Sequence, residues 1–190
     1  LKSEVLPIID FYNLKPSDYT GYVNKIYNNK SNTIWLIISG IGNKKAIKAV
    51  NFLYEISNCN HNSLWINIGI AGHIRFKPGK LYEIKKVTYI KNNKVFYYSN
   101  SLISCFEMHE ACSVDKQEKK FKDNYIYDME SYGFIQSVEK ICLRENICIL
   151  KVISDNSENQ PSNYKVFAYD YIKKNIEIIN KGLVSYANEI

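Results

Sequence analysis

The chain has 190 residues, 46% apolar and 23% charged, ordinary globular values that exclude a disordered or collagen-like polymer. Its length fits one domain with one core, and eight glycines and four prolines are too few for long linkers or a many-turned all-β fold. Twenty-five lysines and arginines against nineteen acidic residues give a net charge of +6. Those lysines are scattered among asparagines rather than clustered, so no nucleic-acid partner is expected.

In chain order, Ser3 is a candidate cap for a first helix carrying Val5, Leu6, Ile8, Ile9 and Tyr12. Thr33 to Ser39 is a nearly continuous apolar run, which predicts a strand covered on both faces. Gly40-Ile41-Gly42 breaks it, Asn43 can cap the next element, and Ala46, Val50, Leu53 and Ile56 follow at helical spacing. Leu64 to Ile70 is a second buried strand, ended by Ala71-Gly72. From Leu81 to Ile103 the pattern changes to short alternating strands, with Asn92-Asn93 as a hairpin turn.

Cys105 to Phe121 is polar and mixed in charge, which predicts a loop running into a helix. Tyr125 to Met129 reads as a short strand, and Phe134, Ile135, Val138, Ile141 and Cys142 mark one face of the helix after it. Ile147 to Ile153 is a third buried strand, stopping at Ser154-Asp155. A last helix begins near Tyr164, with Ala168, Ile172, Ile176, Ile179 and Leu183 turned inward. Without internal repeats or a linker, residues 1–190 predict a single α/β domain.

No apolar run reaches the ~20 residues of a membrane span, and Leu1 leads straight into a charged segment rather than a signal peptide. The five cysteines (Cys59, Cys105, Cys112, Cys142 and Cys148) are odd in number and irregularly spaced, as expected of free thiols in a reducing cytoplasm. Cys105, His109 and Cys112 lie close together, but a structural zinc needs four ligands and nothing at the right spacing supplies the fourth. Neither a metal nor a cofactor is expected. His73 and His109 show no partner pattern and read as packing or exposed residues.

Ligands of open α/β sheets sit beyond the carboxyl ends of the strands. Four such ends carry glycine or polar residues: Ser39-Gly40-Ile41-Gly42, Asn67-Ile68-Gly69-Ile70-Ala71-Gly72, Asp128-Met129-Glu130-Ser131 and Ile153-Ser154-Asp155. Glycine there turns the chain or lets backbone approach a ligand, and a carboxylate there caps a helix or does chemistry.

In order and spacing these four segments, with Leu1-Lys2-Ser3-Glu4, resemble the purine nucleoside phosphorylase superfamily. Within it the chain is most similar to methylthioadenosine/S-adenosylhomocysteine nucleosidases and related bacterial nucleoside-phosphorylase-like proteins. The resemblance implies a three-layer α/β/α sandwich around a central mixed sheet, with the family's first strand preceding Leu1. It also implies cleavage of the N-ribosidic bond of a purine nucleoside or thionucleoside.

Breaking that bond builds positive charge on the sugar and negative charge on the base. By the family pattern Asp155 protonates the leaving base, Glu130 binds the ribose hydroxyls and stabilises the cationic sugar, and Met129 packs on the ribose face. Glu4 activates the attacking water. Ile41 and Gly72, in the two glycine turns, are expected against the ligand, and Phe106 is the aromatic candidate for stacking on the base. Two positions depart from the nucleosidases: Ile70 stands where a serine is usual, and Lys151 where an arginine is usual. Lys151 keeps the charge without the guanidinium fork.

Phosphate as nucleophile is the first alternative, and it needs several arginines; the chain has two, Arg75 and Arg144. An inactive nucleoside-binding protein of the same fold is the second. The resemblance further implies a homodimer, for which an aromatic content of 14% offers interface material.

Overall fold

The computed structural model describes residues 1–97, 106–118, 120–121, 124–161 and 163–187. In chain order it has helix α1 (Lys2–Phe11), strands β1 (Lys15–Pro16), β2 (Ile26–Asn28) and β3 (Trp35–Ile37), and helix α2 (Asn43–Ile56). Strands β4 (Trp65–Gly72), β5 (Leu81–Tyr89), β6 (Lys94–Tyr97), β7 (Met108–Ser113) and β8 (Ile126–Asp128) follow. Helix α3 (Ser131–Val138), a short 3-10 turn (Arg144–Asn146), strand β9 (Ile147–Asp155) and helix α4 (Tyr164–Ala187) complete the order.

The central strands are the ones with nearly unbroken apolar runs. β4 and β9 run parallel, in register from Trp65 opposite Ile147 to Ala71 opposite Ile153, and a bulge then sets Gly72 opposite Asp155. Every residue of β9 is buried, and its side chains alternate between two cores as a strand's must. Ile147, Ile149 and Ile153 join Val50, Leu53, Phe134 and Val138 under α2 and α3. Cys148, Leu150 and Val152 join Ile8, Ile172, Ile176 and Ile179 under α1 and α4. A strand covered by helices on both faces explains the absence of polar alternation.

The sheet is mixed, in the order β6-β5-β7-β8-β4-β9, with β4–β9, β5–β7 and β7–β8 parallel and β4–β8 antiparallel. β5 also pairs antiparallel with β9, Leu81 opposite Val152, so the sheet curls back on itself. This is the expected α/β/α arrangement around a mixed sheet, with a more strongly bent middle layer. No helix among the described residues is long and apolar enough to cross a membrane.

Five expectations change. Asn43 is not the cap of α2 but its first residue; the N-cap is Gly42, with no side-chain cap hydrogen bond. Within Thr33 to Ser39 only Trp35–Ile37 is strand, half-buried and antiparallel to β2 in a separate three-stranded sheet β1-β2-β3. Antiparallel pairing with β2, near in sequence, places this run outside the central layer. Ser3 lies inside α1, whose N-cap is Leu1. The polar stretch after Cys105 is not a loop entering a helix: Met108–Ser113 is β7, set between β5 and β8. Its exposed or half-buried first half hides the strand pattern that its buried second half completes. Helix α3 ends at Val138, so Ile141 and Cys142 follow it rather than belong to it. The hairpin is as expected, with Tyr89 opposite Lys94 and Asn93 at φ 54°; Ile103 and Cys105 lie outside the described residues.

Candidate active site

A cavity of about 230 Å³ opens where β4, β8 and β9 end. Glu4, Ile41, Gly72, Met129, Glu130, Lys151 and Asp155 all line it. Phe106 does not: it is buried in the core beneath α1 and α4, with Ile8, Leu81 and Ile176. Among the described residues, the aromatic rings on the cavity wall are Phe121 and Tyr127.

Glu4 reaches the cavity from the first turn of α1, and its Oε1 accepts a hydrogen bond from Ile70 N at 3.0 Å. Opposite stands the bare backbone of Gly69, where a Cβ would lie 3.3 Å from Glu4 Oε1 and 3.5 Å from Lys151 Nζ. That glycine lets the carboxylate and the ammonium come to the same stretch of β4.

Lys151 is 1% exposed, in the middle of β9, between the apolar runs Ile147–Leu150 and Val152–Ile153. A buried ammonium needs partners. Its Nζ donates to Asn67 Oδ1 at 2.6 Å and to Asp128 Oδ2 at 2.8 Å. Asp128 Oδ2 also accepts from Ser131 N at 2.9 Å and Ser131 Oγ at 2.5 Å, at the start of α3. Burial works to raise the Asp128 pKa, but the Lys151 charge and these donors outweigh it and hold the carboxyl below its ordinary range.

Glu130, the residue before α3, accepts from Gly42 N at 2.8 Å, which joins the start of α2 to the start of α3. The two helices meet closely because Gly133 has no side chain; a Cβ there would sit 2.1 Å from the Asn43 carbonyl oxygen. Asn43 Oδ1 accepts from Gly133 N at 2.8 Å and from Ser113 Oγ at 3.2 Å, fastening the junction. Burial, and then the neighbouring Asp128 charge, raise the Glu130 pKa.

Asp155 ends β9, and burial raises its pKa against the Ser154 hydroxyl 2.5 Å from Oδ1. The same hydroxyl lies 3.2 Å from the Ala71 carbonyl oxygen. At Gly72 a Cβ would meet Asp155 Oδ2 at 3.2 Å and the Phe121 ring at 2.4 Å. The glycine thus makes room for an aromatic face and a carboxyl side by side. The arrangement sets one carboxyl group, that of Asp155, beside a flat apolar surface, a half-buried second one, that of Glu130, and a third, that of Glu4, facing a backbone cleft.

Asp128, Asn67 and Ser154 lie in the motif segments with no part assigned by the resemblance, and Phe121 and Tyr127 lie outside its expected site. Lys151 and Asn67 carried a signal, since a polar residue inside an apolar strand must be paired. Phe121 carried none, because only the fold brings it to Gly72. His73, directly after β4, is fully buried, and burial, then the nearby His109, push its pKa down to about 4.

The curled mixed sheet with helices on both faces, and a cavity at its strand ends, is a fold also seen in solved nucleosidases. Among solved structures the chain is similar to the methylthioadenosine/S-adenosylhomocysteine nucleosidase of Campylobacter jejuni, with a TM-score of 0.77 at 13% identity over 96% of this chain and 95% of that one. The futalosine hydrolase of Helicobacter pylori matches with a TM-score of 0.70 at 14% identity, over 100% of this chain and 95% of that one. The S. pneumoniae nucleosidase, solved with a transition-state inhibitor, matches with a TM-score of 0.68 at 14% identity, over 98% and 94%. No protein-family model matches the chain, and no curated protein matches it by sequence.

Proposed function

We propose that the protein is a nucleosidase that hydrolyses the N-ribosidic bond of a purine nucleoside or thionucleoside. The observation that carries this reading is the convergence of Glu4, Glu130 and Asp155 on one cavity beside the aromatic face of Phe121. Three carboxyl groups taken largely out of water are costly without chemistry to do. Asp155 is the general acid: burial favours its protonated form, and as its proton leaves, the Ser154 hydroxyl can turn from the Ala71 carbonyl to the new carboxylate. Glu130 accepts from the ribose hydroxyls while Gly42 N holds its other side, and its charge favours the cationic sugar. Met129 lies on the sugar face. Glu4, held by Ile70 N, orients the attacking water and takes its proton.

Phosphorolysis is disfavoured by the cation supply. Arg75 and Arg144 are absent from the cavity wall, and Lys151 is engaged by Asp128 and Asn67. In Lys151 we read a structural counter-charge in place of a fork that would grip an anion. The protein acts in the cytoplasm as a homodimer on this reading.

The deciding assay is release of free base from a panel of purine nucleosides without phosphate. Release in phosphate-free buffer is the expected result. Strict dependence on added phosphate replaces the hydrolase with a phosphorylase, and tight binding without release replaces it with an inactive binder.

A further inference from the structure

We propose that His73 is a positioning residue for Asp155, acting through the turn that its own ring closes. His73 Nδ1 accepts two backbone hydrogen bonds, from Arg75 N and Phe76 N, each at 3.0 Å. An imidazole nitrogen thereby does what an Asx side chain does in a turn, satisfying donors two and three residues on. The ring is also stacked on Phe76, with centroids 3.6 Å apart and planes at 10°. Phe76 stacks in turn on Tyr82 at 4.4 Å, so the turn rests on a column of rings rooted in β5.

This turn is bound to the end of β9 at three places. His73 N donates to the Asp155 carbonyl at 3.1 Å, and Ser157 N donates to the Ile74 carbonyl at 3.3 Å. Asn156 Nδ2 donates to the Phe76 carbonyl at 2.9 Å. Asn156 has its own place secured, because its Oδ1 accepts from Glu158 N at 3.0 Å and Asn159 N at 2.7 Å. The three ties fall on Asp155 itself and on the two residues that follow it, just past the bulge in the β4–β9 ladder. A carboxyl that must meet a ring nitrogen of the substrate cannot rely on a frayed strand end. His73 supplies the missing rigidity without lining the cavity.

The test compares His73→Phe, which keeps a flat ring but has no acceptor, with His73→Asn, which keeps an acceptor for the turn. The first readout is the Asp155 carboxyl titration followed by carbon-13 NMR on the full chain, assigned with Asp155→Asn. In H73F the Asp155 pKa is expected to fall toward the ordinary carboxylate value of about 3.9 as its strand end opens to water; in H73N it stays raised. The second readout rests on the nucleosidase reading. In H73F, kcat on purine nucleosides drops by roughly 10–100-fold with little change in KM, while activated nitrophenyl ribosides are spared. If H73F does not fold, Asn156→Ala cuts the same link from the β9 side and is expected to shift both readouts the same way. An unchanged Asp155 titration in H73F or N156A overturns the proposal, as does an H73N variant that falls as far as H73F. A wild-type protein inert on every nucleoside would refute the nucleosidase reading, and the titration would still decide the role of His73.

Discussion

Replacing Lys151 with methionine removes the charge from a pair that is almost wholly out of water. Lys151 is 1% exposed, and the side chain of Asp128, 2.8 Å away, is 0% exposed. Methionine fills similar space, so the loss is chiefly electrostatic: an uncompensated buried carboxylate. Breaking such a pair from one side typically costs ~3–5 kcal/mol, which for a chain of this size lowers Tm by about 6–20 °C. Acidity sharpens the test. In the wild type, Asp128 titrates below its ordinary range, since Lys151 and the Ser131 donors outweigh burial. That stabilisation is present above the unfolded carboxylate pKa of about 3.9 and is lost as pH falls through the lower folded value. Without Lys151, burial dominates and the folded pKa of Asp128 rises above the unfolded one, so the variant loses stability as pH climbs. The gap between the proteins is therefore widest near neutrality and narrows in acid. Urea unfolding at about pH 7 and pH 4.5 measures it, and Asp128→Asn combined with Lys151→Met is expected to recover much of the loss. A cost below about 1 kcal/mol at neutral pH, or the same cost at both pH values, refutes the reasoning.

Asp155→Asn is expected to lower turnover of purine nucleosides by ~10²-fold or more while sparing binding and activated nitrophenyl ribosides; equal losses on both substrates in steady-state assays would show that Asp155 donates no proton. Gly133→Ala pushes a methyl group into the backbone of Asn43, 2.1 Å from its carbonyl oxygen, so α2 and α3 must part. It is expected to cost about 1–3 kcal/mol in urea unfolding and to raise KM, because Gly42 N moves away from Glu130; unchanged stability and KM would contradict this. Light scattering at micromolar concentration is expected to give twice the mass of one chain, and a single-chain mass would rule out the homodimer.

Much of this molecule is legible in its local pattern. The apolar runs at Leu64 to Ile70 and Ile147 to Ile153, and the helical spacing of Ala46, Val50 and Leu53, anticipate β4, β9 and α2, because burial on two faces or on one stripe leaves its period in the residues. Seven of the eight candidate site residues lie on one cavity wall, six of them from the motif segments and the seventh Lys151. Phe106 failed, and Phe121 went unseen, because which aromatic faces Gly72 depends on the path between β7 and β8 rather than on any local period. Likewise, nothing near Lys151 in the chain announces Asn67 and Asp128 as its partners. Nor does Thr33 to Ser39 reveal that β2 will take it into a separate sheet. Side-chain periodicity is a property of neighbours along the chain, and the residues themselves determined it. The pairing of Glu4 with Ile70, of Gly42 with Glu130 and of Lys151 with Asn67 spans 66, 88 and 84 residues, and only the register of the folded sheet and the docking of its helices decided it.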